Sequence, residues 1–267
     1  MKIGIVGCAG RMGRMLAAQV QETEGCDLAG GSEAPGHPAI GADLGEIAGL
    51  GALGIAVVDD PGALFAAVDA VLDFTTPEAT LAHAALAAET ATVHVIGTTG
   101  LDDAAVAALR DHGRRATIVQ APNMSLAVNL LLRLTERVAA ALDDDYDIEI
   151  AEVHHRHKVD APSGTALALG RAAAKGRGVA LEARAARGRD GITGPRRRGD
   201  IGFGVLRGGD IVGEHKVMFA ADGERLELTH VATSRRIYAR GAVRAALWAG
   251  QQSPGLYDMA DVLGLGD

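Results

Sequence analysis

His154, His155, Arg156, His157 and Lys158 follow one another without a gap, and the run continues through Val159, Asp160, Ala161 and Pro162 to Ser163, Gly164 and Thr165. Five adjacent proton-bearing side chains suit a site where a proton is given or held. Behind them, residues 164–174 are rich in Ala and Leu, which reads as a helix with Ser163 as its N-cap and Pro162 closing the loop. The N–H groups of a helix N-terminus at Gly164 and Thr165 attract a carboxylate or a phosphate. Ahead of them, residues 146–153 alternate polar and apolar in the period of a strand. A strand therefore delivers proton donors into a loop that ends at an anion-binding turn.

Three readings fit this stretch. Zinc needs neutral imidazoles, and the fixed charges of Arg156 and Lys158 oppose a dication, so no metal is expected. A solvated polar loop is the ordinary meaning of a charged run. A site for an acidic small molecule that is protonated during reaction accounts for the donors and the anion turn together, and is preferred.

The elements that position such a loop begin at the N-terminus. Residues 3–6 read as a buried strand, followed by Gly7, Cys8, Ala9, Gly10, Arg11, Met12 and Gly13, and then by helical apolar spacing up to residue 20. Strand, glycine turn and helix together make a dinucleotide phosphate site of the G-x-x-G-x-x-G variety. In it Gly7 makes the turn, Gly10 admits the pyrophosphate and Gly13 lets helix pack on sheet. A strand at residues 27–30 leads to Glu33, placed to accept from the adenosine ribose hydroxyls. Ala34 follows, and a 2′-phosphate would meet the Glu33 charge with only Arg11 or His37 nearby. On charge this slightly favours NADH over NADPH, with NADH, NADPH or both as the cofactor.

Residues 44–54 read as loop, 55–58 as a short strand, 61–67 as a short helix, 70–74 as a strand and 77–89 as a helix. A strand at 93–96, a helix at 102–114 and a strand at 116–119 complete the half. Alternating strands and helices predict an α/β fold with a doubly wound, parallel, Rossmann-type sheet. Ligands in such sheets bind beyond the strand C-termini. That aligns Gly7, Glu33, residues 74–76, Gly97, Thr98 and Thr99, and Ala121, Pro122, Asn123 and Met124 along one cofactor edge.

Residues 126–142 read as a long amphipathic helix. Residues 201–219 read as strand, glycine turn and strand, and 225–232 alternate again. With residues 146–153 these predict a second, α+β domain with a mixed or antiparallel sheet, one face against helices. Residues 235–248 read as a helix returning to the first domain. The expected organisation is a dinucleotide-binding domain at 1–125 and 235–267, and a substrate-binding domain at 126–234, with hinges near 124–126 and 233–235. Arg196, Arg197 and Arg198 read as a solvated loop, and His215 and His230 as structural strand histidines.

The chain has 267 residues, 48% of them hydrophobic, and a net charge of −8. The acidic balance excludes a general nucleic-acid binder. Two cysteines imply no disulfide framework, and the apolar start at residues 3–6 is too short for a signal peptide. No apolar run approaches the roughly 18–20 residues of a membrane span. The expected setting is the cytoplasm, with neither membrane nor nucleic-acid partners. Only four lysines occur among 26 Lys and Arg, so a lysine at 158 stands out in an arginine-biased chain.

The run from His154 to Ala166 resembles the signature of the dihydrodipicolinate reductase (4-hydroxy-tetrahydrodipicolinate reductase) family of lysine and diaminopimelate biosynthesis. Gly97-Thr98-Thr99 and Ala121-Pro122-Asn123-Met124 are similar to the family's segments that line the nicotinamide half of the cofactor. The runs at 208–215 and 257–263 resemble it too. The resemblance implies NAD(P)H-dependent reduction of a small cyclic dicarboxylate, 4-hydroxy-tetrahydrodipicolinate, with loss of water, and a homotetramer formed through the second sheet. It implies His154 as general acid, Lys158 as second proton donor, and His155, Gly164 and Thr165 as the grip on the carboxylates. Family members with an arginine beside the acid at 33 are expected to accept NADPH well, and here Ala34 stands instead. If residues 154–158 stayed extended, His154 and Lys158 would share one face and His155 would take the other. The implied roles therefore need the loop to twist. Two other readings remain at this stage: a non-enzymatic dinucleotide sensor, and a dehydrogenase of similar plan acting on an amino acid or semialdehyde.

Overall fold

Successive residues of the first strand face opposite ways, and each face has its own helices. The protein is represented by a computed structural model that describes residues 1–265. In chain order the elements are β1 (Lys2–Val6), α1 (Arg11–Glu22), β2 (Asp27–Ser32), α2 (Leu44–Ala48), α3 (Pro61–Ala67), β3 (Ala70–Asp73), α4 (Pro77–Thr90), β4 (Val93–Ile96), α5 (Asp103–His112) and β5 (Thr117–Gln120). Next come α6 (Leu126–Ala141), β6 (Asp147–His154), α7 (Gly164–Gly176), α8 (Leu181–Arg184), β7 (Ala185–Ala186), β8 (Ile201–Arg207), β9 (Gly213–Ala221) and β10 (Glu224–Ala232). The chain ends with α9 (Arg236–Ala249), β11 (Gly255–Tyr257) and α10 (Met259–Val262). Two compact units result: Met1–Leu126 with the segment from Arg236 onward, and Ala127–Arg235.

The first unit is built on a six-stranded sheet in the order β11-β5-β4-β3-β1-β2, with every pairing parallel. Ile3, Ile5, Ala70, Leu72, Val93, Val95 and Val119 point to one face, where α1, α9 and α10 supply Leu16, Val20, Ala242, Ala246 and Val262. Val6, Val71, Ile96 and Ile118 point to the other, against Leu64 and Phe65 of α3, Ala84 and Ala87 of α4 and Leu109 of α5. Strands buried on both faces require apolar residues at consecutive positions, as parallel sheets do. Proline at the first turn starts α3 and α4, with Asp60 and Thr76 as their caps.

Two sequence expectations change in this unit. Residues 44–54 are not wholly loop: Asp43 caps the short α2, and its carboxylate also accepts from Leu53, Gly54 and Ile55. Residues 55–58 form no named strand, only single bridges from Ala56 to Asp43 and from Val58 to Ser32. The C-terminal strand β11, which the sequence pattern did not suggest, extends the sheet beside β5.

The second unit carries a mixed five-stranded sheet, β10-β9-β6-β8-β7. β6 runs parallel to β8 and antiparallel to β9. Although a glycine turn joins β8 and β9, they are not neighbours, because β6 lies between them. Ile148, Ile150, Ile201, Phe203, Val217 and Phe219 face a core completed by Leu131 and Ala139 of α6 and Leu169 and Ala173 of α7. The run 196–198 is not simply solvated. Arg196 is largely buried and donates to Asp147, Glu149 and the carbonyls of Ile148 and Asp200. Its guanidinium finds acids about fifty positions away, at the start of β6.

Candidate functional site

The proton-bearing loop begins where β6 ends. Along that strand Ile148, Ile150, Glu152 and His154 alternate onto the buried side. The row of core residues thus closes with a carboxylate and an imidazole, Glu152 being 1% exposed and His154 8%. Glu152 Oε2 lies 2.5 Å from His154 Nδ1. Arg207, opposite His154 on β8, donates to both Glu152 oxygens at 2.7 and 2.9 Å, and the Ser163 backbone N–H donates to Oε1 at 2.9 Å. Burial acts to raise the Glu152 pKa, but the hydrogen bonds from Arg207, His154 and Ser163 outweigh it and hold the group below its ordinary value. The carboxylate is therefore ionised and fixed beside His154.

From the other side, β9 brings His215 opposite Glu152. Its ring stands edge-on to His154 with centroids 5.1 Å apart, and its Nε2 is 3.1 Å from Ser163 Oγ. Burial, then the charge of His154, pushes His215 down to about 4, so this ring is neutral near pH 7. Sequence reasoning gave Glu152, Arg207 and His215 no role at the site. A carboxylate at a core position of a period-2 strand was the available signal for Glu152; the other two depend on strand order.

Beyond His154 the chain turns rather than running straight, with Lys158 N–H donating to the His155 carbonyl. Lys158 Nζ is 2.8 Å from Asp160 Oδ1, which lowers the Asp160 pKa. Burial, then the charge of Arg235, lowers that of His155. Arg156 and His157 are exposed. Ser163 caps α7, accepting from the Ala166 N–H at 3.1 Å. Gly164 is exposed with open space where a side chain would stand, and no acid occupies the helix's first turn. His154, Lys158, His155, Gly164 and Thr165 thus sit on one strand end, one turn and one helix start.

In the first unit the glycine loop joins β1 to α1. Gly7 adopts φ +65°, and a Cβ on Gly13 would stand 2.3 Å from the Gly7 carbonyl oxygen, so the helix start presses directly on the loop. The Ala9 N–H donates to Glu33 Oε1 at 2.7 Å, tying the acid after β2 to that loop. Gly10 and Arg11 are exposed, and Met12 is half-buried. Cys8 is enclosed, and burial pushes its thiol up to about 12, so Cys8 contributes only backbone to the loop surface.

Gly97, Thr98 and Thr99 follow β4. The Gly97 N–H donates to the Asp73 carbonyl, and the Thr98 hydroxyl is buried in bonds with Thr75, Thr80 and Asp73. Ala121, Pro122, Asn123 and Met124 follow β5; Pro122 is exposed, Asn123 half-buried, and Ala121 and Met124 are covered. The strand ends thus share one edge, but Cys8, Thr98, Ala121 and Met124 turn their side chains inward.

A loop of small residues, a helix N-terminus with no acid in its first turn and a carboxylate beside it fit the pyrophosphate and ribose of a dinucleotide. Among the described residues no three His, Cys, Asp or Glu side chains gather as metal ligands would. No described helix is long and apolar enough to cross a membrane.

Comparison with known proteins covers both units. Residues 1–124 match the family model described as dihydrodipicolinate reductase, N-terminus, and residues 127–263 the one described as dihydrodipicolinate reductase, C-terminus. Proteins named 4-hydroxy-tetrahydrodipicolinate reductase from Dinoroseobacter shibae and Ruegeria pomeroyi are each 61% identical over 263 residues, covering 98% of both chains. Among solved structures, a dipicolinate-bound dihydrodipicolinate reductase from Paenisporosarcina sp. TG-14 shares the fold with a TM-score of 0.77 at 24% identity, covering 98% of each chain. A probable dehydrogenase from Thermotoga maritima shares it more loosely, with a TM-score of 0.62 at 11% identity over 98% of this chain and 92% of that one. With both units matched and full-length relatives at this identity, the chain belongs to the dihydrodipicolinate reductase family.

Proposed function

We infer that this chain catalyses the NAD(P)H-dependent reduction of 4-hydroxy-tetrahydrodipicolinate, with loss of water, to tetrahydrodipicolinate. The observation that carries this reading is the end of β6, where a buried imidazole held by a carboxylate adjoins a lysine and an open helix N-terminus. When bound, the nicotinamide supplies a hydride to the conjugated ring of the substrate. The chain's own residues must then hold two carboxylates and deliver one proton.

The backbone N–H groups of Gly164 and Thr165, at the start of α7, suit one carboxylate, and His155 adds a further contact. Negative charge develops on the ring framework as hydride arrives. His154 supplies the proton from Nε2, leaving its remaining N–H on Nδ1 toward Glu152. Lys158 Nζ stabilises the developing charge and serves as second donor, leaving Asp160 to do so. The turned backbone between His155 and Lys158 is what frees these groups from strand alternation.

For the cofactor, the Gly7–Gly13 loop would take the pyrophosphate and Glu33 the ribose hydroxyls. The Glu33 carboxylate repels a 2′-phosphate, and Ala34 offers no cation, so NADH is the preferred reductant. Copies of the chain meet through the open face of the second sheet, where Leu206 and Val231 are exposed, to form a tetramer acting in the cytoplasm.

The test is oxidation of NADH and NADPH with substrate generated in place from pyruvate and aspartate semialdehyde by the preceding synthase. His154→Gln and Lys158→Met are expected to lower kcat by about 10²- to 10⁴-fold with NADH binding intact. Higher kcat/KM with NADPH than with NADH would overturn the cofactor preference. No oxidation of either cofactor, with NADH still bound, would overturn the reductase reading and favour a sensor.

A further inference from the structure

Glu152 is a charged side chain in a row of core residues, and the mechanism above does not require it to touch substrate. Placing it there has a cost, because a buried carboxylate must find donors for both oxygens. Here both oxygens are filled: Arg207 bonds each, Ser163 N–H bonds one and His154 Nδ1 the other. Arg207 is itself anchored by donating to the Asp160 carbonyl at 2.7 Å. A fixed cation therefore keeps the carboxylate charged, and three elements keep it still.

The opposite edge of the imidazole is equally constrained. On β9 a Cβ at Gly213 would stand 2.9 Å from His154 Nε2, closer than real Cβ atoms approach a neighbour. Any residue but glycine at 213 would push on the nitrogen that the reaction needs. One nitrogen is thus held by an anion and the other is kept clear by the absence of a side chain.

We propose that Glu152, clamped by Arg207, is the positioning residue for His154: it holds the imidazole with a proton on Nδ1 and leaves Nε2, above Gly213, to exchange the proton of the reaction. This rests on the reading of His154 as proton donor. It divides the work of the strand end. Arg207 keeps Glu152 ionised, Glu152 orients the ring and fixes its tautomer, and Gly213 leaves room. A carboxylate that accepts from one ring nitrogen keeps the proton there and so sets the tautomer and the direction of the other nitrogen. The charged and titratable groups facing His154 are Glu152 on its own strand, Arg207 on β8, His215 on β9 in register with His230 of β10, and His155, Lys158 and Asp160 in the loop.

Glu152→Gln in the full-length protein is the test, read by steady-state kinetics and by the ¹⁵N resonances of the His154 ring. The glutamine can still accept from Arg207 and Ser163, but its amide no longer imposes the tautomer. A roughly ten- to a hundredfold fall in kcat with KM within about threefold is expected, smaller than that of His154→Gln. The ring proton should no longer be held on Nδ1, which the ¹⁵N shifts of the two ring nitrogens report, and Glu152→Gln should add nothing to His154→Gln in the double variant. Arg207→Lys keeps the charge and loses the paired geometry; it should change the His154 nitrogen shifts in the same sense by less, and it serves if Glu152→Gln does not fold. Unchanged His154 nitrogen shifts in both variants, or losses that multiply in the double variant, would overturn the proposal. An unchanged kcat in His154→Gln overturns the proton-donor reading instead, and the ring nitrogen shifts then still decide whether Glu152 orients it.

Discussion

Asp73 at the end of β3 and Glu152 near the end of β6 are both buried carboxylates with two histidines close by, and they solve the burial of a charge differently. Asp73 accepts five hydrogen bonds: from the Thr75 N–H and hydroxyl and the Thr98 hydroxyl on one oxygen, and from His83 and His94 on the other. Phe65 packs against both rings, and His94 is wholly enclosed. Burial acts to raise the Asp73 pKa, but His83 and His94 outweigh it and hold the group well below the carboxylate range. Burial in turn lowers that of His94, so its ring is a neutral donor. None of these five bonds comes from an arginine or lysine, and both oxygens are used to tie the ends of β3 and β4 together. Glu152 has Arg207 as a fixed counter-charge, so its buried histidine need not be the cation and keeps Nε2 clear above Gly213. The difference teaches that the same pairing of acid and imidazole can be a structural knot or, on the role proposed for His154, a proton-handling device. What separates them is whether a permanent cation relieves the histidine.

The largest expected effect tests the knot. Asp73→Ala leaves two imidazole donors and two threonine hydroxyls without their acceptor inside the sheet edge. At about 1–3 kcal/mol for each buried group left unsatisfied, partly relieved by rearrangement, the loss of stability is about 3–5 kcal/mol. Urea unfolding of the intact protein measures it. A near-native midpoint would mean that Asp73 is not a knot, and the contrast with Glu152 would fail. NADH affinity should weaken as well, because the loop holding Thr98 is tied through Asp73.

Much of this arrangement was legible in the chain before any coordinates. The glycine loop before α1, the prolines opening α3 and α4, and the Ser163 cap are local signals, and the structure has each element where its residues place it. The turn that releases residues 155–158 from strand alternation was a stated requirement of the roles, and the backbone meets it. What local pattern could not convey was strand order. Arg207 and His215 reach Glu152 only because β6 inserts between β8 and β9, and nothing in residues 201–219 announces a third strand between them. Arg196 failed for the same reason: a run of three arginines reads as solvated until its partners Asp147 and Glu149 are known to lie beside it. Residues 55–58 show the converse, an apolar run that reads as a strand but finds only single bridges.

A smaller effect concerns the neutral histidine of the proton-handling site. His215 has a folded pKa of about 4 against an ordinary 6.5, so between those values the unfolded chain binds the proton that the folded chain refuses. Stability contributed by this group is therefore present above pH 6.5 and is lost as pH falls toward 4. Across that window the loss amounts to about 2–3 kcal/mol. His215→Gln, which keeps a partner for Ser163 and cannot titrate, should flatten the urea midpoint against pH in this range. An unchanged slope would mean that His215 is as free to charge as a surface histidine, and that the two sites differ less than their burial suggests.

The smallest effect separates the backbone of Ser163 from its side chain. Its N–H belongs to the Glu152 clamp, whereas its hydroxyl caps α7 and meets His215. Ser163→Ala removes the cap and the His215 contact and leaves the N–H in place, so stability should fall by about 1 kcal/mol. Because Glu152 keeps all its donors, the His154 ring nitrogen shifts should match those of the unaltered protein, in contrast to Glu152→Gln. Nitrogen shifts that move in Ser163→Ala as they do in Glu152→Gln would extend the device from the carboxylate side of His154 to the His215 side. The proton-handling site would then resemble the Asp73 knot, with each bond depending on the others. A fall in stability without that movement keeps the distinction: at Glu152 the charge pair orients the imidazole, and the neighbouring cap only holds the helix.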